Sequence, residues 1–473
     1  MKTICLYFEI HQIIHLRRYR FFDIGTDHYY YDDFENERSI TDIVKRSYIP
    51  ALDTLLQMIK DSNGYFKVAL CLSGVGIESL EQYAPEVIEK IQELAKTGCV
   101  EFLAEPYSHG LASLGNEDSF KAEVKRQSKK IKEYFGYTPK VLRNSSLIYS
   151  DEIGRMAADM KFKGMITEGA KHALGWRSPH YLYECALAPQ LKLILRDVTL
   201  SDDISLRFNN SEWQGYPLFA DNFINQIADQ PAEEQIYGLF MNLTALGIEQ
   251  PLYSNILEFF KALPECARIT FSTPTEICDR VKSVDKFDVP YPLSWRDEER
   301  DISTWLGNPM QREAFNKLYS IADRVRIAND PRINQDWDYL QASDNFSAMS
   351  TKPVPVGVDR GIYSTPFDAF TNYMNILGDF MSRVNALYPA DIDNEELNAL
   401  LTTIHNQESE LETKDKEIVL LKAKAEKLAN ESDKLRAKLD QTTDSTKTAK
   451  PKKKTATTKA KSTTTKKTAP KKA

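Results

Sequence analysis

Residues able to handle a sugar gather at the end of one apolar run. Glu101 and Glu105 flank residues 100–104, and Tyr107 and His109 follow directly. Carboxylates accept hydrogen bonds from sugar hydroxyls and aromatic faces stack on pyranose rings, so this mixture at one strand end suits a carbohydrate cleft. The other reading is that these carboxylates pair with Arg143 or a lysine. His11-Gln12 follows the run 3–10, where an imidazole and an amide can also hydrogen-bond hydroxyls. Trp176 and Trp213 offer further stacking faces, or simply pack. Two more apolar runs end in polar residues without a carboxylate: 237–241 closes on Asn242, and 141–143 leads into Asn144, Ser145 and Ser146. In an α/β barrel the C-terminal strand ends carry the chemistry, so Ser146 and Asn242 both stand at positions open to a functional role.

The elements that position these groups alternate. Strand patterns fall at 3–10, 66–72, 100–104, 141–143, 164–167, 191–195, 236–241 and 269–271, with helical patterns such as 40–59, 80–95 and 117–134 between them. That alternation argues for a parallel sheet wrapped by helices, either a barrel or an open doubly wound sheet. Past Pro290-Tyr291-Pro292 the strand signal stops, and helical patterns follow at 310–325, 334–343 and 367–387.

Five stretches together resemble the α-amylase branch of glycoside hydrolase family 57. Val141-Leu142-Arg143-Asn144-Ser145-Ser146-Leu147-Ile148-Tyr149-Ser150-Asp151-Glu152 is similar to the family's FRNTELIYSDE, and Phe240-Met241-Asn242-Leu243-Thr244-Ala245-Leu246-Gly247-Ile248-Glu249-Gln250 to its FMDYETFGEHQ. His11-Gln12-Ile13, Gly98 to Glu105 and Phe271 to Glu276 supply the other three, and Thr167 to Trp176 resembles TEGAKHxLGW, bringing in Glu168 and His172. The resemblance implies an incomplete (β/α)7 barrel over 1–285, a helical domain over 286–390, and an α-glucan or maltooligosaccharide as substrate. It also implies that the nucleophile Glu is replaced by Ser146 and the acid/base Asp by Asn242. A retaining glycosidase needs two carboxyl groups roughly 5 Å apart. Serine cannot stabilise an oxocarbenium ion as a carboxylate does, and asparagine has no proton to give. The stretch Asp344-Asn345-Phe346-Ser347-Ala348-Met349 departs from the family's DHFYYM, with Asn345 at its histidine and Ser347 and Ala348 at its tyrosines.

The formal charge of −7 hides an asymmetry, because residues 441–473 carry eleven lysines and one acid, leaving a body near −17. That tail lacks apolar residues to bury and is expected to be disordered, a solvated tail or a polyanion contact. Before it, Leu397, Leu400, Ile404, Leu411, Ile418, Leu421, Ala425, Leu428, Leu435 and Leu439 fall on a heptad, with breaks at Gln407, Lys414 and Ser432. Over 394–440 this predicts a coiled coil and a homodimer, or one long helix folded back on its own chain. The six cysteines are scattered with no metal-site spacing, so no metal is expected, and reduced thiols suit a cytoplasmic protein. No run has membrane-spanning length, and no Gly-rich phosphate loop follows a strand, so no cofactor is expected.

Three functions remain in order: an α-amylase-like glucan-binding protein without glycosidase activity, an active hydrolase or transglycosidase using other carboxylates (Glu249, Glu105, Asp151, Asp202 or Asp203), and a coiled-coil scaffold.

Overall fold

The computed structural model describes residues 2–265, 268–352, 362–388 and most positions from 396 to 428. Its first compact unit runs from Met1 to Ile392 and its second from Asp393 onward. Ten strands are described: β1 (Lys2–Ile10), β2 (Val68–Leu72), β3 (Val100–Leu103), β4 (Val141–Arg143), β5 (Gly164–Glu168), β6 (Tyr183–Cys185), β7 (Lys192–Arg196), β8 (Ile236–Asn242), β9 (Ile269–Phe271) and β10 (Asp285–Phe287).

Seven of them close on themselves. β1 pairs in parallel with β2 and β8, β2 with β3, and β5 with β4 and β7. The seams are thin: Arg143 N donates to Ala104 O at 2.8 Å between β3 and β4, and only Arg196 and Gly238 pair between β7 and β8. The ring excludes the open doubly wound sheet. β9 pairs with the first residues of β1, while β6 runs antiparallel beside β7 and carries β10. All seven barrel strands are buried throughout or at all but one residue, the pattern of a parallel sheet covered on both faces.

Eight strands fall where the apolar runs placed them. The two that did not, β6 and β10, are three residues long and interrupted by charged residues, Glu184 in one and Asp285 and Lys286 in the other, so no apolar run marks them. Local signals fix the helices between strands. The helix Glu117–Phe135 starts where the Asn116 side chain accepts from Ser119 N, and it stops at Gly136, whose φ of 69° suits glycine. The expected helix over 40–59 is three pieces, Asp33–Ile43, a wider turn at Val44–Tyr48, and Ile49–Asp61.

After Pro292 the described elements are helical, chiefly Pro309–Tyr319, Ala322–Ala328, Pro331–Leu340 and Pro366–Asn385. Their apolar faces share one core with barrel residues: Phe315, Leu318, Ile376 and Phe380 belong with Leu142, Met165 and Leu193. Described positions from 396 to 428 are helical, with Leu400, Leu411, Ile418, Leu421 and Leu428 exposed. Leu397, the heptad past 428 and the tail 441–473 lie outside the described residues.

Candidate functional site

The strand ends converge on a cleft of about 870 Å³. Glu9, His11 and Gln12 from the end of β1, His109 after β3, Ser146 after β4 and Asn242 at the end of β8 all line it. Its far wall comes from Trp295, Arg296, Arg300, Asp344 and Asn345. A deeper recess shares Glu9, Asn242, Glu249 and Trp295 with the cleft and adds Arg143, Arg196 and Tyr7.

The floor is organised by a buried guanidinium. Arg143 Nη1 donates to Glu105 Oε2 at 2.8 Å, and Nη2 donates to Glu9. His109 Nδ1 lies 3.2 Å from both Arg143 Nη1 and Glu9 Oε1. Burial, with His11 nearby, pushes the His109 imidazole down to about 3, so it is neutral at physiological pH. His11 stacks on it with ring centroids 4.1 Å apart, held by Ser73 Oγ at 2.7 Å and Asp344 Oδ2 at 3.2 Å. Glu9, Glu105 and His109 offer ligand atoms within 4.8 Å of one another, a spacing a cation could use. Arg143 already bonds both carboxylates and supplies the positive charge there.

The turn carrying Ser146 is strained. Ser146 and Leu147 have φ of 51° and 55°, the left-handed region that non-glycine residues rarely adopt. Asn144 holds it: its Oδ1 accepts from Ser145 N, and its Nδ2 donates to Ser113 Oγ at 2.8 Å and to Ile148 O at 2.9 Å. Trp295 N donates to Ser146 O. Ser146 is thus presented to the cleft by a fixed backbone.

Across the barrel, Asn242 closes β8, and Glu249 stands nearby. Thr244 Oγ1 donates to Glu249 Oε1 at 2.9 Å, while Glu249 Oε2 is buried without a partner among the described residues. Burial pushes this carboxyl up from its ordinary range. Beside the recess, Arg196 Nη1 reaches Glu168 Oε2 at 3.3 Å, its Nη2 bonds Asp202, and its Nε donates to Phe240 O at 2.9 Å.

Six sequence-selected residues lie elsewhere. Glu101 gives both oxygens to Thr275, at 2.9 Å to the backbone N–H and 2.6 Å to the hydroxyl, and so ties β3 to the helix Pro274–Arg280. Asn144 is buried in its turn and does not line the cleft. His172 and Trp176 sit on the exposed loop around the short helix Lys171–Leu174, and Trp176 is 95% exposed. Trp213 lies under Arg207, whose guanidinium carbon is 5.8 Å from its ring centre. Glu105 is fully buried and serves Arg143. Loop side-chain direction has no periodicity to betray it, whereas the strand-end residues were legible. Glu9 was missed, and its signal was a lone carboxylate inside a continuous apolar strand, which requires a buried partner.

Burial pushes the Glu168 carboxyl up to about 7 against the pull of Arg196 and Arg300, and its Oε1 has no partner among the described residues. A carboxyl raised on folding binds its proton more tightly in the native state, so stability falls as pH rises from the unfolded value, about 4.3, to about 7. Glu168→Gln is expected to flatten that decline and to gain up to about 4 kcal/mol over wild type at pH 8 but almost nothing at pH 4. Urea unfolding midpoints at the two pH values decide it, and an equal gain at both would refute the titration.

The family model for glycosyl hydrolase family 57 matches residues 5–290. A Methanocaldococcus jannaschii protein provisionally named as an alpha-amylase is 35% identical over 370 residues, covering 74% of this chain and 78% of its own. The chain belongs to glycosyl hydrolase family 57. Among solved structures, the GH57-type branching enzyme of Pyrococcus horikoshii aligns with a TM-score of 0.58 at 14% identity, covering 84% of this chain and 94% of that one. The 4-alpha-glucanotransferase of Thermococcus litoralis gives 0.56 at 13% identity over 73% of this chain. This chain spans 56% of the glucanotransferase, and both likenesses concern the fold.

Proposed function

We propose that the protein binds an α-glucan or maltooligosaccharide in the barrel cleft and has lost the retaining glycosidase reaction. The observation that carries this reading is that Ser146 and Asn242 line one cleft at the ends of β4 and β8, the two positions where the family resemblance puts nucleophile and acid/base. The cleft keeps groups that suit binding: an imidazole stack, an amide, partly exposed carboxylates and a tryptophan. It lacks, at those two positions, the groups that make and break a glycosyl ester. Titration calorimetry with maltohexaose, beside reducing-sugar assays on soluble starch, tests it. Measurable binding without sugar release is expected; release at an ordinary enzymatic rate would defeat the reading.

One observation favours a second reading. Glu249, seven residues past Asn242, lines the same cleft with a carboxyl that burial pushes up from its ordinary range. If it serves catalysis, Glu249→Ala abolishes whatever turnover the wild type shows.

The same proposal includes self-association through 397–439 and a polyanion contact by the lysine tail, which deletion after Asn394 would remove together. It places the protein in the cytoplasm, in keeping with five described cysteines that are all free. No described helix is long and apolar enough to cross a membrane.

A further inference from the structure

Most of the described leucines and isoleucines between 396 and 428 lie in solvent. Leu411 and Leu421 are each 61% exposed, Leu428 is 66%, and Ile418 is 45%. Together with Lys414 and Ala425 they occupy the two inward heptad positions, so they form one stripe along the helix. A stripe of this kind is covered by another helix, and its composition distinguishes the ways a second copy could do so.

A parallel, in-register pair would stack each residue on itself. Lys414 would meet the Lys414 of the other copy inside an apolar seam, two like charges in a poorly hydrated place. Ala425 would meet Ala425 and leave a gap. An antiparallel pair centred between Val419 and Leu420 changes both layers. Ile418 then faces Leu421, Leu411 faces Leu428, and Lys414 faces Ala425, each twice by symmetry. The small alanine leaves room for the lysine stem, which can run across it and carry the ammonium to water. Flanking charges do not separate the two arrangements, since Glu417 can meet Lys424 of the second copy in one and Lys422 in the other. The seam does, through one polar residue that is tolerated in one orientation and penalised in the other.

We infer that a second copy of this chain covers the stripe, as an antiparallel helix pair in the register Leu411 to Leu428, Lys414 to Ala425 and Ile418 to Leu421. This rests on the self-association proposed above and adds its orientation and register. The arrangement joins two clefts in one particle.

The test uses the full chain. Light scattering after gel filtration is expected to give twice the chain mass for wild type and the single chain mass for Ile418→Asp/Leu421→Asp. Under mild oxidation, the double variant Leu411→Cys/Leu428→Cys is expected to run as a disulfide-linked dimer on a non-reducing gel, and Leu411→Cys or Leu428→Cys alone as monomer, like wild type. The singles stay monomeric because the seventeen-position separation of 411 and 428 holds equivalent sites about 26 Å apart along an antiparallel axis. A monomeric wild type overturns the proposal. So does a cross-linked dimer of either single variant, which a parallel pair produces, or a double variant that does not cross-link. Lys414→Leu separates the seam argument from the rest: it is expected to keep the antiparallel cross-link and raise the dilution resistance of the dimer. Maltohexaose binding is measured on the same samples, and its absence would sink the glucan reading without touching the dimer.

Discussion

Introducing both carboxylates, as Ser146→Glu/Asn242→Asp, is expected to turn a silent protein into a measurable α-glucan hydrolase. The backbone is already arranged for it. Asn144 pins the turn that holds Ser146 in the left-handed region, so a longer side chain there projects into the same cleft without a new backbone conformation. Asn242 has the shape of aspartate at the end of β8, and exchanging its amide for a carboxyl restores a group that can give and take a proton. The two act as a unit, one forming the glycosyl ester and the other assisting departure and water attack. Either single variant therefore stays near background, while the pair rises at least about a thousandfold above it. The rise falls short of a natural amylase because Thr244, Glu249, Asn345, Ser347 and Ala348 differ from the family's motifs as well. Reducing-sugar release from maltoheptaose, with all four proteins side by side, makes the comparison. A wild type as active as the double variant would mean that the reacting carboxylates lie elsewhere, with Glu249 the first to test. A silent double variant that still binds maltoheptaose would mean the cleft no longer seats a sugar across positions 146 and 242.

The barrel was legible because parallel strands buried on both faces read as unbroken apolar runs, and their ends mark themselves with polar residues. Glu9, His11, His109, Ser146 and Asn242 share one cleft for that reason alone. Order along a strand says which end a residue occupies; it does not say whether a carboxylate turns inward or outward. Glu101 and Glu105 show this: they lie four residues apart, yet one binds Thr275 of a covering helix and the other binds Arg143 in the floor. Trp176 failed for a related reason. A tryptophan on an irregular loop has no pattern to place it, and its indole faces solvent. Asp344 and Arg296 reach the cleft from beyond the strand-bearing part of the chain, and only tertiary packing brings them there. The long patterned helices were predictable in type, and their breaks, as at Val44–Tyr48, were not.

Arg143→Met is expected to be the most damaging single change in the barrel. The guanidinium is fully buried and, with the His109 imidazole beside it, joins Glu9 from β1 to Glu105 after β3. Its planar fork bonds both carboxylates at once, which a lysine ammonium cannot do with the same geometry. Removing it leaves two carboxylates in a nearly dry floor, each forced to take up a proton or draw in water. Loss of one partner from such a buried network costs about 3–5 kcal/mol, a large share of the roughly 5–15 kcal/mol that holds a domain folded. The thin seam between β3 and β4 makes the site more sensitive, because Arg143 N is also one of the backbone donors that close it. Arg143→Lys should fall between wild type and methionine. The decisive variant is Arg143→Met/Glu9→Gln/Glu105→Gln, which removes the charges along with their partner and is expected to recover most of the lost stability, since neutral amides can bond one another and the imidazole of His109. Urea unfolding followed by tryptophan fluorescence gives the midpoints. If the triple variant were no more stable than Arg143→Met, the loss would come from packing rather than stranded charge, and the floor would owe its order to shape instead of electrostatics.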